Sequence, residues 1–188
     1  LVGSEMCIRD SDNAVKGLVF GADSEPVTSG RVATVQAIGG TGGLKIGADF
    51  LKRVSPNAKV LISDPSWENH RALFTNAGFE VDTYAYYDAE KRGVNFEGFL
   101  ASLNAAAAGT IVVLHACCHN PTGYDISPAQ WDQVIAVVKA KGLTPFLDMA
   151  YQGFGYGIAE DGAVIQKFVA AGLSFFVSTS FSKSFSLY

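Results

Sequence analysis

Val177-Ser178-Thr179-Ser180-Phe181-Ser182-Lys183 is the stretch on which the reading of this chain turns. The apolar run Phe175-Phe176-Val177, bounded by small polar residues, predicts a short buried strand over 174–180, and Lys183 follows it directly. In open α/β sheets ligands bind just beyond the carboxyl ends of the strands. A lysine there, among three serines, is placed for chemistry if such a sheet exists. By itself it reads equally as a solvated loop lysine, since lysines are mostly exposed. The rest of the chain decides between the two.

Working outward, the segment upstream repeats one pattern: an apolar run, a polar turn, then helical periodicity. From about Gly39 this alternation predicts βαβ units and a mostly parallel sheet flanked by helices, an α/β fold. Leu44, Ala48, Leu51 and Val54 mark a first helix face, preceded by Gly39-Gly40-Thr41-Gly42-Gly43. A glycine turn at a helix start offers free amides to a phosphate, although it serves as often as a tight connection. Its spacing is neither the dinucleotide fingerprint nor the Walker pattern, which argues against a dehydrogenase of the Rossmann type. Lys59–Ser63 reads as the next strand, Asp64-Pro65-Ser66 as a loop, and Trp67 to Ala77 as a helix. Glu80–Tyr87 is a further strand candidate, and Asn95 caps a helix carrying Phe96, Phe99, Leu100 and Leu103 that closes by Gly109.

Ile111–Leu114 is an all-apolar strand running into His115-Ala116-Cys117-Cys118-His119-Asn120. The two histidines and two cysteines suggest zinc, but side chains that alternate along an extended segment cannot all converge on one ion, so no metal is expected. By the same alternation Cys117 and Cys118 should point to opposite faces and not pair. Ser127 and Gln130 form a capping box with Pro128 at the first helical position, and Trp131, Val134, Ile135 and Val138 make the stripe of the helix they open. Leu143–Leu147 is the next strand, with Asp148 at its end, and a buried carboxylate must find a partner. A helix near Ala163–Ala171 then returns the chain to the strand before Lys183.

Four strands therefore end in Trp67, in Asn120, in Asp148 with Tyr151, and in Lys183, while the Gly40-Thr41 turn opens a helix at the same edge. An amine nucleophile, a buried acid, a phenol, an amide, an aromatic lid and a phosphate cradle together describe a pyridoxal phosphate site. Asn120-Pro121-Thr122-Gly123, Asp148-Met149-Ala150-Tyr151 and Ser180-Phe181-Ser182-Lys183 resemble the aspartate and aromatic aminotransferase family, within the fold-type I pyridoxal phosphate enzymes. Finer likeness to its bacterial tyrosine, or aromatic-amino-acid, branch lies in Ser63-Asp64-Pro65-Ser66-Trp67-Glu68-Asn69-His70 and in Phe185-Ser186-Leu187-Tyr188. The resemblance implies the large domain of a three-layer αβα fold. It implies that Lys183 carries the cofactor as a Schiff base and shuttles a proton, that Asp148 keeps the pyridine nitrogen protonated, and that His70 orients Asp148. Tyr151 and Asn120 would bond the ring oxygen, Trp67 would cover the ring, and Gly40, Thr41, Ser180 and Ser182 would hold the phosphate. The implied partners are an amino acid, a 2-oxo acid and a second subunit of a homodimer. Aromatic substrates are expected, with aspartate as the alternative and a non-catalytic regulator as a remoter one.

With 188 residues, 48% of them hydrophobic, and a net charge of -4, the chain can bury a sizeable core and is a poor match for nucleic acid or an acidic membrane surface. Its cysteine usage fits a reducing, cytoplasmic compartment. Residues 1–11 resemble nothing that follows and are expected to be an unrelated leader, leaving 12–188 as part of the cofactor-binding domain. The family's phosphate-binding and carboxylate-binding arginines would fall beyond Tyr188, so the chain is expected to be a piece of a longer protein, weakly active by itself.

Overall fold

Apolar runs and amphipathic stretches become strands and helices in near-strict succession. The computed structural model describes residues 2–187. The chain runs through α1 (Val2–Phe20), α2 (Glu25–Thr28), α3 (Gly39–Val54), β1 (Lys59–Asp64), α4 (Glu68–Asn76) and β2 (Glu80–Ala85). It continues through β3 (Tyr87–Asp88), β4 (Gly93–Val94), α5 (Phe96–Ala105), β5 (Ile111–His115), α6 (Pro128–Lys141), β6 (Thr144–Met149), α7 (Ile158–Ala170) and β7 (Phe176–Thr179).

Five strands form one sheet in the order β2-β1-β5-β6-β7, parallel throughout, and β3 and β4 make a small antiparallel hairpin beside it. The central strands are apolar without polar alternation because both faces are covered. On β5, Ile111 and Val113 face the core under α3 and α4, while Val112 and Leu114 face the core under α1, α5, α6 and α7. That is the expected three-layer αβα arrangement. The chain steps from β1 outward to β2, then returns to β5 on the other side of β1 and proceeds to β6 and β7. The direction of winding thus reverses between β1 and β5, and in such sheets the crevice at the reversal is where ligands sit.

α3 starts at Gly39, so the expected glycine turn is itself the first turn of the helix. Glycine is a poor helix former, and packing explains its use here. A Cβ on Gly47 would lie 2.5 Å from the Phe146 ring, and one on Gly43 would lie 2.7 Å from Ser178 Oγ. Bare backbone lets α3 press onto β6 and β7, which carries its first turn over the segment that leads to Lys183. α7 also begins earlier than expected, at Ile158 rather than near Ala163, and Tyr87 leaves the expected strand for the hairpin.

The boundary expected at residue 11 falls inside one continuous helix, α1, which packs its Val15, Val19 and Phe20 against the α7 side of the core. The Phe20 and Phe175 rings lie 6.0 Å apart. Leu1, and the Tyr188 that closes the Phe185 motif, lie outside the described residues. Among the described residues no helix is long and apolar enough to cross a membrane.

Candidate active site

Beyond the carboxyl ends of β1, β5, β6 and β7 lies a cavity of about 320 Å³, within the range of small-molecule sites. Gly40, Thr41, Trp67, Asn120, Asp148, Tyr151, Ser180, Ser182 and Lys183 all line it. His70 stands behind the lining. One cavity therefore joins a lysine amine and a buried carboxylate that are far apart in the sequence.

At one side the cavity meets the start of α3. Its N-cap is Ile38, which offers no side-chain acceptor, and the first turn holds no acidic residue. The first amides of a helix have no intrahelical partner, so those of Gly39, Gly40 and Thr41 face the cavity with the positive end of the helix dipole. Ser178 Oγ donates to the Gly40 carbonyl at 3.1 Å and ties β7 to this turn. Ser180 Oγ donates to Ser182 Oγ at 3.1 Å, and the Ser182 amide donates to Ser180 Oγ at 3.2 Å, which sets two hydroxyls beside the free amides. Lys183, exposed to the cavity, holds its Nζ 5.5 Å from the centre of the Tyr151 ring.

Asp148 is 7% exposed and has the partner that its burial demands: His70, fully buried, bonds Asp148 Oδ2 through Nε2 at 2.8 Å. A carboxylate oxygen accepts, so Nε2 carries the proton, and Nδ1 is left to accept from Ser66 Oγ at 2.8 Å. The chain Ser66–His70–Asp148 fixes the carboxylate from behind. Trp67, the N-cap of α4, stands edge-on to His70 with ring centres 5.4 Å apart.

The loops are fixed by carboxylates of their own. Asp125 accepts from the Cys118 and His119 amides at 2.7 and 2.8 Å, which shapes the turn that presents Asn120. Asp161 accepts from the amides of Gly153, Gly155 and Tyr156 at 2.8, 2.9 and 2.9 Å, which shapes the turn after Tyr151.

Two histidines not expected at the site stand in it or against it. His119 is buried, stacked on Tyr86 at 3.9 Å, with Nε2 bonded to Ser63 Oγ and Nδ1 to Thr122 Oγ1. Burial, then the nearby His70, pushes it down to about 4. His115 lines the cavity beside Asp148, its register partner, and neither of its buried nitrogens has a protein partner. Burial first, then His119 and His70, lowers it to about 3, against the opposing pull of Asp148. The sequence signal for His115 is its place at the polar end of an apolar strand.

Cys117 and Cys118 are unpaired, as expected, but they do not point to opposite faces. β5 ends at His115, and Cys118 takes a left-handed φ of 51°, so the strand alternation that separates neighbouring side chains does not extend to them. Their sulfurs lie within 4.8 Å of each other and of the Asp161 carboxylate. The side chains of the His115–His119 stretch do not gather into one cluster: His115 groups with His70 and Asp148, the cysteines group with Asp161, and His119 is bonded elsewhere.

Residues 9–188 match the family described as aminotransferase class I and II, and the chain belongs to it. It is 64% identical over 177 residues to an aspartate aminotransferase of Pseudomonas aeruginosa and 55% identical over 176 residues to an aromatic-amino-acid aminotransferase of Escherichia coli. In each case 94% of this chain is covered but only 44% of the relative. The chain thus spans less than half the length of the curated relatives it matches. Among solved structures it resembles the aromatic-amino-acid aminotransferase of Burkholderia pseudomallei, covalently bound to pyridoxal phosphate, with a TM-score of 0.93 and 65% identity over 94% of this chain and 44% of that one.

Proposed function

We propose that the protein binds pyridoxal 5'-phosphate in this cavity and, in its whole form, moves the amino group of an aromatic amino acid, tyrosine or phenylalanine, to 2-oxoglutarate. The observation that carries the reading is the joining of Lys183, the buried Asp148–His70 pair and an uncapped helix start in one cavity. Each matches one part of the cofactor. A dianionic phosphate suits the amides of Gly40 and Thr41 with the hydroxyls of Ser180 and Ser182. A protonated ring nitrogen suits the Asp148 carboxylate. The orphaned nitrogens of His115 are consistent with a polar ligand in the space beside them.

When bound, the cofactor supplies an aldehyde that condenses with amines and a ring that draws electrons from the substrate carbon. The protein's part is then to hold and to move protons. Lys183 Nζ would hold the cofactor and is the amine in reach to take up and return the proton of the substrate α-carbon. Asp148, kept in place by His70, would hold the ring nitrogen in its charged form. Tyr151 and Asn120 would bond the ring oxygen, and Trp67 would cover the ring face and exclude water.

A second reading, transamination of aspartate, is favoured by the 64% identical relative of that name. We further propose that residues 12–188 form part of the cofactor-binding large domain and that the whole protein is a homodimer. Exposed apolar residues on the segment leading into α3, Val35 and Ile38, are the kind of surface a second subunit covers. The unpaired Cys7, Cys117 and Cys118 are consistent with a cytoplasmic setting.

The test is to load the protein with pyridoxal phosphate, reduce with borohydride and map the modified peptide. Modification is expected at Lys183, and modification elsewhere would end the assignment. Rates with tyrosine, phenylalanine and aspartate against 2-oxoglutarate then separate the two substrate readings.

A further inference from the structure

We propose that Cys117 and Cys118 form a dithiol site in the cavity wall that captures a soft, low-coordinate thiophile, a trivalent organoarsenical in its simplest form. The two sulfurs lie within 4.8 Å of each other because the strand ends before them and Cys118 turns left-handed. Cys118 is half-buried and offers the way in, while Cys117 is 6% exposed and lines the cavity.

The donor set decides the class of ligand. Asp161 is near enough to complete a metal site, but its oxygens already accept three backbone amides and hold the Tyr151 turn. Two sulfurs remain. Zinc asks for four ligands and for thiolates, whereas burial raises both thiols above their usual range and favours the protonated form.

A trivalent arsenical needs two sulfurs and takes them as thiols. An organoarsenic oxide exchanges its oxygen for the two sulfurs: two As–S bonds form, the arsenic–oxygen bond breaks, and both thiol protons leave with the oxygen as water. Arsenic stays trivalent, no oxidant is consumed, and no charge is created in the cavity wall.

Capture acts on the site next to it. The Cys118 thiol donates to the Tyr151 carbonyl at 3.8 Å, and that contact ends when its proton is lost. Asn120 follows two residues after Cys118 on the same turn. Occupancy of the dithiol and retention of cofactor are therefore antagonistic. This coupling rests on the cavity being a pyridoxal phosphate site; the capture itself does not.

The experiment uses phenylarsine oxide on protein carrying Cys7→Ser, which removes the exposed cysteine of α1, with intact-mass analysis under native conditions. One phenylarsenic group per chain is expected, reversed by a dithiol but not by an equal amount of monothiol, and lost in both Cys117→Ala and Cys118→Ala, each checked for folding by circular dichroism. No adduct on the folded protein, or an adduct that survives either substitution, would overturn the site. Preloading with pyridoxal phosphate should slow adduct formation at least about tenfold. Equal rates in protein whose Lys183 is shown to carry cofactor would overturn the coupling, whereas a failed lysine mapping would overturn the cofactor reading.

Discussion

Two helices of this chain begin in opposite ways. α6 closes its own start: Ser127 Oγ accepts from the Gln130 amide at 3.3 Å, Gln130 Oε1 accepts from the Ser127 amide at 2.8 Å, and Pro128 has no amide to satisfy. α3 leaves its start open, with Ile38 at the N-cap and glycine at Gly39 and Gly40. The closed start serves stability and faces nothing of the cavity; the open one lines it. At α3 the unspent backbone donors thus face a cavity suited to an anionic ligand. The sharpest way to break this contrast is to close α3 by force. Gly40→Asp puts a carboxylate among the free amides, where it competes with phosphate and repels it. Loss of charged hydrogen bonds and of the helix-end interaction is worth about 3 kcal/mol together, or about 100-fold in cofactor affinity. Gly40→Ala is the control, since a Cβ there meets Ser180 Cβ at 3.3 Å and already tightens the turn. Equal affinity in the two variants, measured by titration of cofactor fluorescence, would deny the open helix start its role.

The same division runs through the buried histidines. His119 is closed, with both nitrogens bonded, and His115 is open. Both are held neutral in the folded state, at about 4 and about 3, against about 6.5 in the unfolded chain. Below pH 6.5 the unfolded chain therefore binds protons that the folded one refuses, so stability is complete above that pH and is lost as the pH falls. Between pH 6.5 and 5 each such histidine removes about 2 kcal/mol. His115→Gln should retain about 2 kcal/mol more of its pH 6.5 stability at pH 5 than the parent does, as read by urea unfolding at the two pH values. An unchanged difference would mean that His115 titrates normally in the fold.

How much of this was legible in the sequence follows from where the physics is local. α6 was readable to the residue because its signals, Ser127, Pro128, Gln130 and the apolar stripe, are neighbours in the chain. The strands were readable because burial on both faces leaves uninterrupted apolar runs. The motif residues around Asn120, Asp148 and Lys183 were readable through resemblance, and the cavity gathers them. The start of α3 is hidden because four glycines among five residues argue against helix, at about 1 kcal/mol for each glycine, and only contact with Phe146 and Ser178 outweighs them. The turn at Cys118 is hidden in the sequence because a left-handed residue after a strand leaves no mark when it is not glycine. The place of His115 is hidden in the sequence because it depends on Asp148, which comes next to it only through the pairing of β5 with β6.

Closing α3 tests one half of the contrast; opening α6 tests the other. Ser127→Ala removes the acceptor of the Gln130 amide while leaving Pro128 and the stripe of Trp131, Val134, Ile135 and Val138 in place. Loss of an N-cap hydroxyl typically destabilises by about 1 kcal/mol, so the urea midpoint should fall by a corresponding amount with no change in the slope of the transition. No residue of α6 lines the cavity, and cofactor affinity should stay within about twofold, a shift of about 0.4 kcal/mol. The two variants should then separate cleanly: Gly40→Asp weakens the ligand far more than it weakens the fold, and Ser127→Ala weakens the fold alone. A Ser127→Ala protein that loses cofactor as readily as Gly40→Asp would mean that affinity here follows global stability. The open start of α3 would then be an incident of its glycines and not the reason for them.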